Sequence, residues 1–166
     1  ETAPVQWFQT NPDFDDLVRE RFLTVYRYAQ NGLFDTWGQD ADGALALILI
    51  YDQFPRNMFR DTPDAYATDT QARATALTAL ERGCDQIHPP LRRPFFYLPF
   101  EHSENLDDQN RAVELFRKME ADNPLGLHYA LQHREVIARF GRFPHRNAIL
   151  GRPSTPDEKK YLMEIK

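Results

Sequence analysis

Three times along this chain a turn-forming residue is followed by proline at what reads as the first position of a helix, at Asn11-Pro12, Asn123-Pro124 and Thr155-Pro156, and Thr62-Pro63 starts a further region in the same way. A side-chain oxygen at the cap accepts from the free backbone N–H groups of a first turn. Proline in that turn lacks an N–H that would have no helical partner there anyway. After Asn11 the apolar residues Phe14, Leu17, Val18, Phe22, Val25, Tyr26 and Ala29 recur at helical spacing until Gly32. Asp69 is expected to cap an alanine-rich helix carrying Ala72, Ala74, Ala76, Ala79 and Leu80 as far as Gly83. Ser103 or Asn105 caps another, whose inner stripe reads Leu106, Gln109, Val113 and Phe116. Asn123-Pro124 opens a helix running to Phe140 and Gly141, with Ala130, His133, Ile137 and Phe140 on one face. This spacing places His133 in the core. Thr155 and Glu158 form a capping box for a last helix.

Two segments are less regular. Residues 44–51 are apolar on every side, and their leucines and alanines, with no strand pattern nearby to pair with, favour a buried helix over a strand. Pro55 ends or kinks that helix where Asp52, Gln53, Arg56 and Asn57 arrive. Residues 88–99 contain Pro89, Pro90, Pro94 and Pro99 and read as a loop or a short distorted helix. No strand pair is left, so the chain reads as a single all-α domain over residues 1–166.

An eight-residue apolar run is far short of the ~20 needed to cross a bilayer, so no membrane partner is expected. No secretory leader is read either, and a cytoplasmic location is the expectation. An isoelectric point near 5.5 disfavours general attraction to nucleic acid. Cys84 reads as a small core residue. No cofactor motif is present, and nothing in the sequence sets an oligomeric state.

Charge is distributed unevenly. Residues 133–152 hold Arg134, Arg139, Arg142, Arg146 and Arg152 against the single acid Glu135, within a chain of net charge −5. Phe140, Phe143, Ile149 and Leu150 are interleaved, which suggests cations held by packing. Such guanidinium groups need anionic partners. The partners are either the protein's own Asp52, Glu101 and Glu104 or a bound ligand, and Arg suits either through its planar fork of donors. QFPRN at 53–57 is echoed by RFPHRN at 142–147, the same device of Arg and Asn projecting from a proline break. Glu101, His102, Ser103 and Glu104 follow the aromatic anchor FFYLPF; a carboxylate beside a histidine can tune it for acid or base work, while Ser103 reads as a cap. His133, Gln109, Asp52, Gln53 and Glu101 make a polar interior, and each such group costs about 1 to 3 kcal/mol if left without a partner.

The strings WFQTNPDFDD, LIYDQFPRNMFRDTPDAYATD, FYLPFEHSENLDDQNRAVELF, YALQHREVIARFGRFPHRNAILGR and STPDE strongly resemble the bacterial domain-of-unknown-function family nine-two-four, from about Trp7 to the end. The resemblance implies a TPR-like bundle of paired antiparallel helices and brings no activity with it.

Two readings of function follow. In the first, a polar cleft binds a small anionic ligand, a phosphorylated or carboxylate metabolite. Arg142, Arg146, Asn147, Arg152, Arg56, Asn57, Asp52, Gln53, Glu104, Gln109 and His133 line or support it, and His145, His102 and Glu101 carry any acid–base chemistry. In the second, the fold is a protein or peptide interaction module and the same network is scaffolding. A metal-dependent hydrolase using His102, Glu104, His133 and His145 is a minor alternative; no ligand spacing of the HExxH kind exists, so no metal ligand is assigned.

Overall fold

Local capping explains most helix starts in the computed structural model, which describes residues 10–165. In chain order the helices are α1 (Pro12–Gln30), α2 (Ala41–Ile48), α3 (Phe54–Met58), α4 (Asp69–Glu81), α5 (Cys84–Ile87), α6 (Pro94–Glu101), α7 (Leu106–Lys118), α8 (Pro124–Phe140) and α9 (Pro156–Glu164). There is no strand among the described residues. Asn11 Oδ1 accepts the Phe14 N–H at 3.2 Å, and Asn123 Oδ1 accepts the Gly126 N–H at 3.0 Å. Thr155 and Glu158 exchange both bonds of a capping box, at 3.2 and 2.7 Å. Thr62 behaves differently. Its hydroxyl turns back onto the Phe59 carbonyl, and Pro63–Tyr66 makes one 3-10 turn. Trp7, where the family resemblance begins, lies outside the described residues.

The core forms where α2, α4, α6, α7 and α8 meet, around Ile48, Ala76, Phe96, Phe100, Ala112, Phe116 and Ala130. Alanines on the inner face of α4 let its neighbours approach closely. A second cluster joins Val18, Tyr26 and Ala29 of α1 to Leu47, Ile50, Tyr51 and Met58. Cys84 is buried at the start of α5. Helix α1 packs on α3, α6 on α7, and α7 on α8, a succession compatible with TPR-like pairing. No helix among the described residues is long and apolar enough to cross a membrane.

One alternative is decided and two expectations need correction. The proline-rich stretch is the short helix rather than the loop, and α6 is the buried centre of the bundle, with every residue from Phe95 to Glu101 out of solvent. Pro94 at the first position costs little, and burying Phe95, Phe96 and Phe100 at about 1.5 to 3 kcal/mol each outweighs the roughly 3 kcal/mol of Pro99 inside the helix. On α7, Leu106 is exposed and Ala112 takes its place beside Gln109, Val113 and Phe116. On α8, Ala130 and Ile137 are buried, but the His133 side chain is 36% exposed. It stands at the edge of the apolar stripe.

Helix α2 does not simply stop at Pro55. It widens into one turn of π-helix over Leu49–Gln53 and continues into α3. Pro55 has no N–H to offer the Tyr51 carbonyl, and the buried Thr68 hydroxyl donates to that oxygen at 2.7 Å. Using its hydroxyl there, Thr68 leaves the start of α4 without a side-chain cap. Thr68→Val should therefore cost about 1 to 3 kcal/mol, measured by urea denaturation, because a buried carbonyl loses its donor. Thr68→Ser should retain most of the stability. Equal stability of Thr68→Val and the parent would show that the carbonyl does not depend on Thr68.

Candidate functional site

The wide turn aims Asp52 into the protein. This carboxylate is 1% exposed, and its Oδ1 lies 2.8 Å from His102 Nδ1 and 3.2 Å from Arg56 Nη1. The Gln53 amide donates to Oδ2. An ionised carboxylate only accepts, so His102 donates through Nδ1 and its Nε2 is left without a protein partner among the described residues. Burial by itself would raise the pKa of Asp52, but the charges of Arg56 and then His102 outweigh it and hold the carboxyl well below the usual range. Arg56 also forks onto Asp69 at 2.9 and 3.2 Å. One turn on, Arg60 forks onto Asp15 at 2.6 and 2.8 Å, and Asn57 donates to the same acid.

The C-terminal end of α6 supplies the facing groups. Its last carbonyls lack helical donors, and the buried Gln109 amide donates to Glu101 O at 2.6 Å and Ser103 O at 2.7 Å. Ser103 donates to Asp108, and Asn105 caps α7. With the backbone so fixed, buried Glu101 places its Oε1 2.6 Å from His133 Nδ1. Consecutive residues thus belong to two carboxylate–imidazole pairs, Glu101 with His133 and His102 with Asp52.

The basic loop divides into two parts. Arg142 donates to both oxygens of Glu158, at 2.7 and 2.9 Å, and to Pro153 O. Arg152 forks onto Glu104 at 2.6 and 2.9 Å and reaches Asn147 Oδ1, while Glu104 also accepts the Phe143 N–H at 2.8 Å. Asn147 is buried and donates to Ser154. These side chains clamp the loop to α9 and to the end of α6. Arg146 is different. It is 7% exposed, its Nε has no hydrogen-bond partner, and the nearest acid oxygen, on Asp69, is 4.0 Å away. The guanidinium lies 4.4 Å from the Phe143 ring centroid and 4.7 Å from that of Tyr66. Burial, and next the charge of Arg56, pull its affinity for a proton below the ordinary value.

Arg146 opens on a cleft of about 310 Å³ lined also by Arg56, Arg60, Asp61, Ala65, Tyr66, His102, His133, Phe143 and His145. Buried Phe143 organises one wall, with the His133 and His145 rings 5.4 and 5.5 Å from it. Desolvation, then the charges of Arg146 and His133, push His145 down to about 4, so near neutral pH its ring is uncharged. Of the sequence candidates, Arg56, Arg146, His102, His133 and His145 line this cleft, with Asp52 and Glu101 behind two of them. Arg142, Asn147, Arg152, Glu104 and Gln109 support the surrounding backbone. Gln53 and Asn57 line a different cavity, of about 760 Å³, beside Phe14, Phe22, Leu49 and Phe54. Among the described residues no group of three His, Cys, Asp or Glu side chains is arranged to hold a metal.

Sequence reasoning missed Arg60, Asp61, Ala65, Tyr66 and Asp69. Arg60 had a signal, four residues after Arg56 and so on the same helical face. Tyr66 had none, since it sits in an isolated 3-10 turn. Asp61 adopts a left-handed backbone conformation, φ 62°, at the cleft wall.

Fold and cleft together define an all-helical protein with a small cavity lined by arginine, histidine and aromatic side chains. The chain belongs to the family described as bacterial protein of unknown function, DUF924, whose sequence model matches residues 1–165. It is similar to the solved structure of a protein of unknown function, ATU0120, from Agrobacterium tumefaciens, with 45% identity, a TM-score of 0.93, and 98% of this chain and 90% of that one covered. No curated protein matches the chain.

Proposed function

We propose that the cleft around Arg146 binds a small anionic ligand through a phosphate or carboxylate group. What carries this reading is Arg146 itself, a buried guanidinium that no protein acid neutralises at hydrogen-bond distance. Keeping such a group buried without a hydrogen-bonded acid is costly in a finished scaffold, and an oxyanion in the cleft supplies the missing acceptors. The neighbouring arginines Arg142 and Arg152, each saturated by a carboxylate, show what the scaffolding arrangement looks like. Arg146 departs from it.

Thermal unfolding with and without inorganic phosphate tests the reading. A ligand at 100 times its dissociation constant adds about 2.7 kcal/mol to the folded state, so phosphate should raise the melting temperature of the parent protein. Arg146→Ala should melt close to the ligand-free parent and lose the phosphate response. A parent protein that phosphate, sulfate and simple carboxylates all fail to stabilise, with a large fall in the melting temperature of Arg146→Ala, would make Arg146 structural and end the proposal.

A further inference from the structure

We propose that this cleft hydrolyses phosphate monoesters, with His102 as general base and His133 as general acid; the inference rests on the anion-binding reading of Arg146. The observation behind it is the pair of carboxylate–imidazole contacts that open on the same small space. Asp52 Oδ1 to His102 Nδ1 is 2.8 Å, and Glu101 Oε1 to His133 Nδ1 is 2.6 Å. In each pair the carboxylate fixes ring orientation and occupies Nδ1, so Nε2 is the nitrogen available to a substrate. One such pair is a common structural feature. Two, issuing from consecutive residues and sharing a cleft with an arginine that has no hydrogen-bonded carboxylate, form a proton-transfer site with an anion anchor.

The division of roles follows from the acids behind the rings. Asp52 divides its charge among His102, Arg56 and Gln53. His102 takes the base role. Buried Glu101 has His133 as its hydrogen-bonded side-chain partner, and His133 takes the acid role. The substrate class follows from the anchor. A phosphate monoester carries its charge on the oxygens of the atom that is attacked, so the group held by Arg146 in the cleft is also the group that reacts. A carboxylate anchored by Arg146 is a poor electrophile.

In the step, His102 Nε2 removes a proton from a water molecule as the water oxygen bonds to phosphorus. The bond from phosphorus to the ester oxygen breaks, and its electron pair stays on that oxygen, which takes the proton from His133 Nε2. Alcohol and inorganic phosphate leave. His102 is then protonated and His133 neutral, and a proton passing through solvent from the first to the second restores the starting state. Arg146 donates to the phosphoryl oxygens throughout.

Two assays decide the matter. Loss of oxygen-18 from labelled inorganic phosphate into water, followed by phosphorus NMR, needs no leaving group; hydrolysis of 4-nitrophenyl phosphate tests the complete reaction. The parent protein should catalyse both, and His102→Gln and His133→Gln should each slow them roughly 10²- to 10⁴-fold. Both variants should keep the phosphate-induced rise in melting temperature, which also reports that they fold. If phosphate stabilises the parent but the parent exchanges no label beyond a protein-free control, the cleft binds anions without this chemistry and the inference is overturned. If phosphate does not stabilise the parent either, the anion-binding reading falls as well.

Discussion

Asp52→Ala is expected to destabilise this protein by about 3 kcal/mol, towards the lower end of the range for breaking a buried ion pair. The carboxylate is fully enclosed and serves Arg56, His102 and Gln53 together, so its removal leaves buried donors facing an apolar methyl group. Asp69 continues to hold the Arg56 fork, which keeps the loss from being larger. Asp52→Asn should cost less, since the amide oxygen still accepts one hydrogen bond. Denaturant unfolding with a shared slope measures all three proteins. A loss under about 1 kcal/mol in Asp52→Ala would mean that water replaces the carboxylate and that the wide turn of α2 is held by Thr68 and packing alone.

Acid should destabilise the fold in two stages. His145 protonates near 4 when folded and near its ordinary 6.5 when unfolded. As pH falls through that window the unfolded chain takes up a proton that the folded chain does not, so stability declines first between about 6.5 and 4. Below about 4 the carboxylates take over. Asp15, Asp52 and Glu104 are lowered despite burial, by Arg60, by Arg56 and by Arg152 respectively, and the Arg142 hydrogen bonds lower Glu158 to about 2. Their contribution is complete above the unfolded value near 4 and disappears as pH drops through the folded values. Melting temperatures from pH 7.5 to 3 should show both stages, and His145→Gln should remove only the upper one. An unchanged upper stage in that variant would place its origin elsewhere.

How much of the site could be read in the chain depends on the range of the interactions involved. Arg142, Arg146 and Arg152 look alike in sequence, and each was a reasonable ligand-binding candidate. They differ in the structure because Glu158 and Glu104 reach the first and last of them, while Asp69 stops short of Arg146. The same holds for histidine. His133 shares the spacing of Ala130 and Ile137, but Glu101 holds its ring at the cleft margin, where spacing along one helix carries no information.

Helix starts, by contrast, were legible because capping is local. The side-chain oxygens of Asn11, Asn123 and Thr155 accept from N–H groups three residues ahead, and no other part of the protein is needed to place them. The bases of the all-helical fold and of the unusual polar content are of this kind. The wide turn at residues 49–53 is not, because Pro55 announces only that one hydrogen bond is missing. What replaces it is a hydroxyl from Thr68, seventeen positions beyond Tyr51. Helix α6 is another case, its prolines leaving loop and short helix both open until the aromatic side chains between them have a core to enter. By itself, then, the sequence determined where helices begin, which faces are apolar and which residue types must find partners. Tertiary structure alone decided which of Arg142, Arg146 and Arg152 would lack a hydrogen-bonded carboxylate, because pairing across the bundle depends on ångström-scale reach between segments far apart in the chain.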